Sequence, residues 1–272
     1  MRILVRHESH YLYEPPVKNL VQILRLQPRS HEGQHVIKWR VEVDADCALM
    51  CQEDTFGNLT HHFSMSGLPQ WTLLIEGEVD TTDMAGVVRG SRERFPVELF
   101  LRETTLTPSV PIVQDFSASL ASQPRSPLDQ LHGLMELVHH QIRGTDEMSH
   151  FSRSADEVVA HQQGSVSDRV HVFLACARLL NIPSRFVSGY VGQSAQNPIA
   201  RLHYWAESFV EGLGWVAFDP VLNICPQEHH VRIAIGLDIL SGASIRSAVG
   251  AGSLETISAN VHIEQHQAQW QS

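Results

Sequence analysis

The chain has 272 residues, a formal net charge of −10, and 43% hydrophobic against 18% charged residues. That length holds two units or one large composite one, and the charge content is too low for a disordered chain. A broadly anionic surface repels phosphate backbones, which argues against a nucleic-acid partner, and no stretch approaches the ~20 apolar residues of a membrane span.

Residues 1–16 lack the apolar segment of a secretory leader. Cys47, Cys51, Cys176 and Cys225 form neither a CxxC pair nor a zinc pattern. The expectation is a reduced, cytoplasmic protein. The 17 histidines include the adjacent pairs His61-His62, His139-His140 and His229-His230. Neighbouring side chains point to opposite faces of a strand and diverge on a helix, so these pairs are poor shared ligands. With no HExxH motif, neither a metal nor a cofactor is expected.

The N-terminal residues read as strands. Arg2 to Val5 opens, Val36 to Val43 alternates apolar and polar from Ile37 onward, and Trp71 to Val79 follows. Asp54 to Asn58 supplies a turn, because Gly57 and Asn58 tolerate positive φ. Pro108 to Pro124, with Pro111 between and several serines, reads as a connection with at most a short helix. Ser126-Pro127-Leu128-Asp129 then starts a helix with an N-cap, Pro at the first position and an early acid. Leu128, Leu131, Met135, Val138 and Ile142 share its apolar face. Ser154 to Glu157 is a capping box for a second helix.

A third helix follows Gly164, with Val170, Phe173, Leu174 and Ala177 at helical spacing and a stop at Asn181-Ile182-Pro183. Arg185 to Val191 and His203 to Val210 read as strands. Glu211 to Gly214 is a turn, and Trp215 to Phe218 returns, ending at Asp219-Pro220. A helix start followed by strands bearing His and then Asp is the layout of nucleophilic hydrolases. The helix dipole favours an anionic nucleophile, the imidazole moves its proton, and the carboxylate fixes the imidazole tautomer. The hairpin with its turn at 211–214 brings Asp219 back towards His203.

Four blocks carry a family resemblance: Gly164 to His171, Ile182 to Tyr190, His203-Tyr204-Trp205-Ala206-Glu207, and Gly212 to Pro220. In letters, order and spacing they resemble the transglutaminase-like core of the papain-like cysteine-hydrolase superfamily. Upstream, His10 to Glu14, Leu24 to Arg29 and Asp54 to Asn58 resemble the β-rich N-terminal region of its bacterial branch, and Val231 to Asp238 resembles its C-terminal region. The resemblance implies an α+β fold: a papain-like core, helix packed on antiparallel sheet, over 101–272 with C-terminal strands, preceded by a β-rich domain over 1–100.

The family usually writes the first block Gly-Val-Cys-Gln-Asp-(aromatic)-Ala-His. Aligning Gly164, Asp168 and His171 puts Val166 on the cysteine position, with Ser165, Ser167 and Arg169 also changed. The family's Arg-Asp-Tyr is likewise lost near Leu237-Asp238-Ile239. Val166 has no nucleophilic atom, so His203 and Asp219 read as a vestigial pair. The reading is a pseudoenzyme that binds a peptide or amide ligand, or a scaffold, with Ser165, Ser167, Asp168 and Trp205 as binding candidates. The resemblance also implies a partner such as an ATP-grasp-like ligase. The alternative is an active amide or peptide hydrolase, or acyl transferase, using Ser165 or Ser167. One helical step rotates a side chain by about 100°, far outside nucleophile–base tolerance. The more ordinary roles are N-caps for the two serines, a first-turn acid for Asp168, and core for Cys176, Trp205 and Trp215.

Overall fold

The computed structural model describes residues 1–121, 126–145, 152–194, 197, 199–250 and 253–266. Chain order begins β1 (Arg2–Val17), β2 (Leu20–Gln27), β3 (Gln34–Val43), β4 (Met50–Glu53), β5 (Leu59–Met65), β6 (Leu68–Thr81) and β7 (Val87–Val88). A 3-10 turn at Val97–Leu101 leads to α1 (Pro111–Ala121), α2 (Pro127–Gln141), β8 (Arg143–Gly144), α3 (Ala155–His161), β9 (Gln163–Gly164) and α4 (Val166–Leu179). Then come β10 (Ser184–Val191), β11 (Arg201–Val210), β12 (Gly214–Phe218), β13 (His230–Gly236), α5 (Ile239–Gly242), β14 (Ile245–Val249) and β15 (Leu254–His266). No helix among the described residues is long and apolar enough to cross a membrane.

β1 buries Ile3, Val5, His7, Ser9, Tyr11 and Tyr13 in strict alternation, and β6 does the same from Trp71 to Val79. Such alternation puts one face of each strand on a core. Two antiparallel sheets result, ordered β15-β1-β6-β3 and β14-β2-β5-β4. The C-terminal strands, grouped by sequence with the 101–272 core, thus hydrogen-bond into the sheets of the N-terminal strands. β15 pairs along β1 from Arg2 to Glu14, and β14 along β2. The apolar centre of these sheets also takes in Tyr190, Val231 and Ile233 from the third sheet, so one core runs across both halves of the chain.

The third sheet is ordered β13-β10-β11-β12-β7, antiparallel throughout. α4 packs on β10 and β11 and is enclosed by α1, α2 and α3, so Ser167 to Arg178 are buried all round. Its middle, Val172 to Ala177, is apolar on every face and belongs inside a core, while Asp168, Arg169, His171 and Arg178 are buried with hydrogen-bond partners. Phe173, Leu174 and Ala177 meet Phe186, Ala206 and Phe218 there. The opposite sheet face buries Val187, Trp205, Trp215 and Ile235 with Phe100.

The region 108–124 departs from expectation. α1 has 11 residues, with Val113 and Leu120 buried and Phe116 packed beside them. Pro111 stands at its first position, where a helix needs no N–H, so the proline that read as a linker mark is a helix start.

Candidate functional site

The start of α4 is built by its own side chains. Ser165 is the N-cap: its Oγ accepts the Asp168 N–H at 3.3 Å, and Asp168 Oδ2 accepts the Ser165 N–H at 3.0 Å. Asp168 Oδ1 also accepts the Arg153 N–H at 3.0 Å. Ser165 Oγ and Ser167 Oγ hydrogen-bond at 3.1 Å. The capping box satisfies orphan helix donors and uses both hydroxyls. Val166 is then the first helical residue, half-buried.

The far end of α4 fixes its height on the sheet. Arg178 donates from Nη2 to Ser184 O at 2.9 Å and from Nη1 to Thr107 Oγ1 at 2.7 Å. The first turns of α4 contact the segment that follows Asp219: Arg169 Nη2 donates to Pro220 O at 3.1 Å and to His139 O at 3.2 Å. Val166 lies one turn before Arg169 on the same helix face.

His203 and Asp219 are both fully buried, and His203 Nε2 donates to Asp219 Oδ2 at 2.6 Å. Asp219 Oδ1 accepts the N–H groups of Val221 and Leu222 at 2.9 and 3.0 Å. Burial by itself would raise this carboxyl, but the adjacent His203, through charge and hydrogen bond, holds it well below the usual carboxylate range. With Nε2 engaged, Nδ1 is the nitrogen left to take a proton from a nucleophile. It is buried and has no hydrogen-bond partner among the described residues.

His203, Trp205 and Glu207 share one face of β11, while Ala206 and Val210 pack into the helices. The Trp205 ring lies 6.4 Å from His203 and meets His230 edge-on at 5.4 Å. Gly189 makes room for it: a Cβ there would lie 2.4 Å from that ring and 2.2 Å from Val231 O. Trp205 is 1% exposed and lines, with His31, Gln34, His230 and Arg232, a cavity of about 50 Å³. That space suits a water or two rather than a peptide side chain.

Two groups here escaped the sequence reading. His230 Nε2 stands 3.6 Å from Asp219 Oδ2, and its Nδ1 accepts the Gln227 N–H at 3.2 Å, which leaves the ring proton on the side of the carboxylate. Burial lowers the His230 pKa, so it faces Asp219 as a neutral ring. The only sequence signal was its place just ahead of the Val231 block. The second is Glu207, fully buried, which accepts from Arg185 Nε and Arg232 Nε at 2.7 Å each. Burial opposes its ionisation, yet the two guanidiniums pull its pKa down to about 2. Arg185 also stacks 3.8 Å from the Trp215 ring centroid and bonds Glu93 at 2.7 Å.

The model of the bacterial transglutaminase-like N-terminal region matches residues 3–80, and that of the transglutaminase-like superfamily matches residues 114–220. Residues 114–220 thus carry a transglutaminase-like core, and residues 3–80 the N-terminal region of its bacterial branch. An uncharacterized protein of Mycobacterium leprae is 25% identical, over 94% of this chain and 97% of that one. One from Mycobacterium tuberculosis is 22% identical, over 94% and 90%. A solved structure from Cytophaga hutchinsonii, assigned as a cysteine protease, matches with a TM-score of 0.81 at 16% identity, over 99% of this chain and 92% of that one. At that identity the likeness is one of fold.

Within this transglutaminase-like core, the retained letters of the first block do structural work. A Cβ on Gly164 would lie 2.8 Å from Asp168 Cβ, Asp168 completes the cap, and fully buried His171 accepts the Ile239 N–H at 3.2 Å through Nε2. Cys176 is fully buried on α4, with its thiol pushed up to about 12 by burial, and serves as core. Trp215 is core as well, 4% exposed.

Proposed function

We propose that this transglutaminase-like protein forms no acyl-enzyme and acts by binding, taking a peptide or amide ligand at the His203–Asp219 cleft or holding a partner protein. One observation carries the reading. The His203–Asp219 pair is assembled at 2.6 Å, yet the first turn of α4 offers Val166 where the family places its cysteine, and His203 Nδ1 has no partner among the described residues. Ser165 and Ser167 do not fill the vacancy, because their hydroxyls bond each other and Ser165 Oγ caps Asp168. A nucleophile must lie within hydrogen-bond reach of its base. The helix start still favours the carbonyl or carboxylate of a bound chain through its N–H groups and dipole.

The free state of Cys47, Cys51, Cys176 and Cys225 supports a cytoplasmic setting. An ATP-grasp-like ligase, the partner the family resemblance implies, belongs to the same reading and is tested by co-purification. The deciding experiment is turnover of ester, peptide-amide and glutamine substrates by the wild-type protein beside His203→Ala. Equal background rates are expected. Turnover present in wild type and absent from His203→Ala overturns the proposal and directs attention to Ser165 and Ser167 as nucleophiles.

A further inference from the structure

A second cavity lies away from the His203–Asp219 pair, between the β2–β3 connection, the β4–β5 turn, the loop after β7 and strand β13. Its volume is about 460 Å³, within the ordinary range for small-molecule sites. Arg29, Arg92 and Arg232 line it, and no Asp or Glu does. Arg232 is already neutralised by Glu207. Arg29 and Arg92 are not matched in this way. Together with Arg94 they converge on the single carboxylate of Glu53, Arg92 at 3.1 Å and the other two closer still. The next acid, Asp54, is taken by Arg25 at 2.9 Å and by the N–H groups of its own turn.

The ion pairs set three cations against one carboxylate, and Glu32, whose Oε1 lies 3.6 Å from where a Cβ of cavity-lining Gly90 would stand, adds a second anion nearby, so the local balance stays positive in a chain whose net charge is −10. Two carboxylate oxygens cannot satisfy the N–H donors of three guanidiniums, each carrying five. The burden is visible on Arg29: burial first, and then the neighbouring charge of Arg92, lower its pKa. Arg29 cannot swing away, because its Nε donates to Gly57 O at 2.7 Å. The Arg92 side chain is 61% exposed, so this cation stands at the mouth of the cavity within reach of solutes, and Arg94, 35% exposed, lies behind Gly57 of the lining.

We propose that the cavity lined by Arg29 and Arg92 is a binding site for a small dianion, a dicarboxylate or a phosphate monoester, whose charge offsets the positive balance and whose oxygens take the surplus guanidinium donors. Planar oxyanions suit the guanidinium fork, which binds them bidentately. The site stands whether or not the His203 cleft binds a peptide.

The test is titration of the full chain with succinate and, separately, inorganic phosphate, read by calorimetry and by thermal midpoint, with neutral succinamide as control. Saturable binding of at least one dianion is expected, weakening as salt rises because the mouth is exposed. Arg92→Gln should weaken it on the order of tenfold, the value of one charge-assisted contact. Glu53→Gln should strengthen it, because the competing carboxylate is gone. Unliganded circular dichroism of each variant separates lost binding from lost fold. Arg92→Gln is the main variant because its side chain is exposed, and Arg92→Lys, which keeps the charge without the fork, is the backup. No saturable binding of either dianion, or equal affinities in wild type, Arg92→Gln and Glu53→Gln, overturns the proposal. Which dianion binds tighter identifies the oxyanion.

Discussion

Replacing Glu207 by Gln removes one charge from the centre of the core sheet and keeps the shape. The carboxylate is fully buried and accepts three hydrogen bonds, from Arg185 Nε, Arg232 Nε and Arg232 Nη2. Against burial, Arg232 and Arg185 lower its pKa from 4.5 to about 2. At ~1.4 kcal/mol per tenfold change, that drop is worth about 3 kcal/mol. Loss of one partner from a buried ion pair independently suggests ~3–5 kcal/mol, because the other charge stays buried. Here Arg185, whose side chain is 0% exposed, keeps Glu93 and the Trp215 ring, and the abandoned charge is Arg232, which has no other ion pair among the described residues. For a chain of this size each kcal/mol moves the thermal midpoint by ~2–4 °C, so Glu207→Gln should melt ~6–12 °C lower at neutral pH in scanning calorimetry. The pH dependence has a defined sign. A carboxyl whose pKa is depressed by folding contributes fully above 4.5, and the contribution fades as pH falls towards about 2. The gap between wild type and variant should therefore begin to close below pH 4.5. A variant melting within ~2 °C of wild type at neutral pH would refute the reasoning, since it would mean the network is worth less than ~1 kcal/mol.

Burial lowers His7 and His171 from 6.5 to about 4, so the unfolded chain binds more protons between those values and stability should fall as pH drops from 6.5. Unfolding free energies from urea titration should fall less steeply across that window for His7→Gln, by up to ~1.4 kcal/mol per pH unit. Fully buried Cys176 should resist iodoacetamide in the native protein while exposed Cys51 is alkylated, and denaturation should abolish the difference in a mass-spectrometric time course. Val166→Cys places a thiol at the first position of α4, where the helix N-terminus favours thiolate, so it should alkylate faster than Cys51. Its substrate turnover should stay weak, because Ser167 and Arg169 also depart from the family pattern; robust turnover would show the remaining site to be intact.

Much of this protein was legible without coordinates wherever the signal was local. Ser165 and Asp168 announce the start of α4 because a cap acts over three residues, and β1 and β6 announce their buried faces because a strand repeats every two. The His203–Asp219 pair was also within reach of the sequence, because a single hairpin with its turn at Gly212–Gly214 folds one strand beside the other. α1 is longer than the at most short helix that the prolines and serines of 108–124 suggest: Val113, Phe116 and Leu120 keep a helical period, and Pro111 is its first residue.

Tertiary structure alone decided which distant residues share one charge or one edge. His230 reaches Asp219 from β13, Arg232 and Arg185 meet on Glu207, and Arg29, Arg92 and Arg94 gather on Glu53 from two separate loops. β15 closes on β1 across nearly the whole length of the chain. No spacing rule reaches over such separations. Periodicity and capping record how a segment meets its nearest neighbours, whereas these contacts depend on how whole sheets stack to bury their apolar faces, and that information is spread over the entire core.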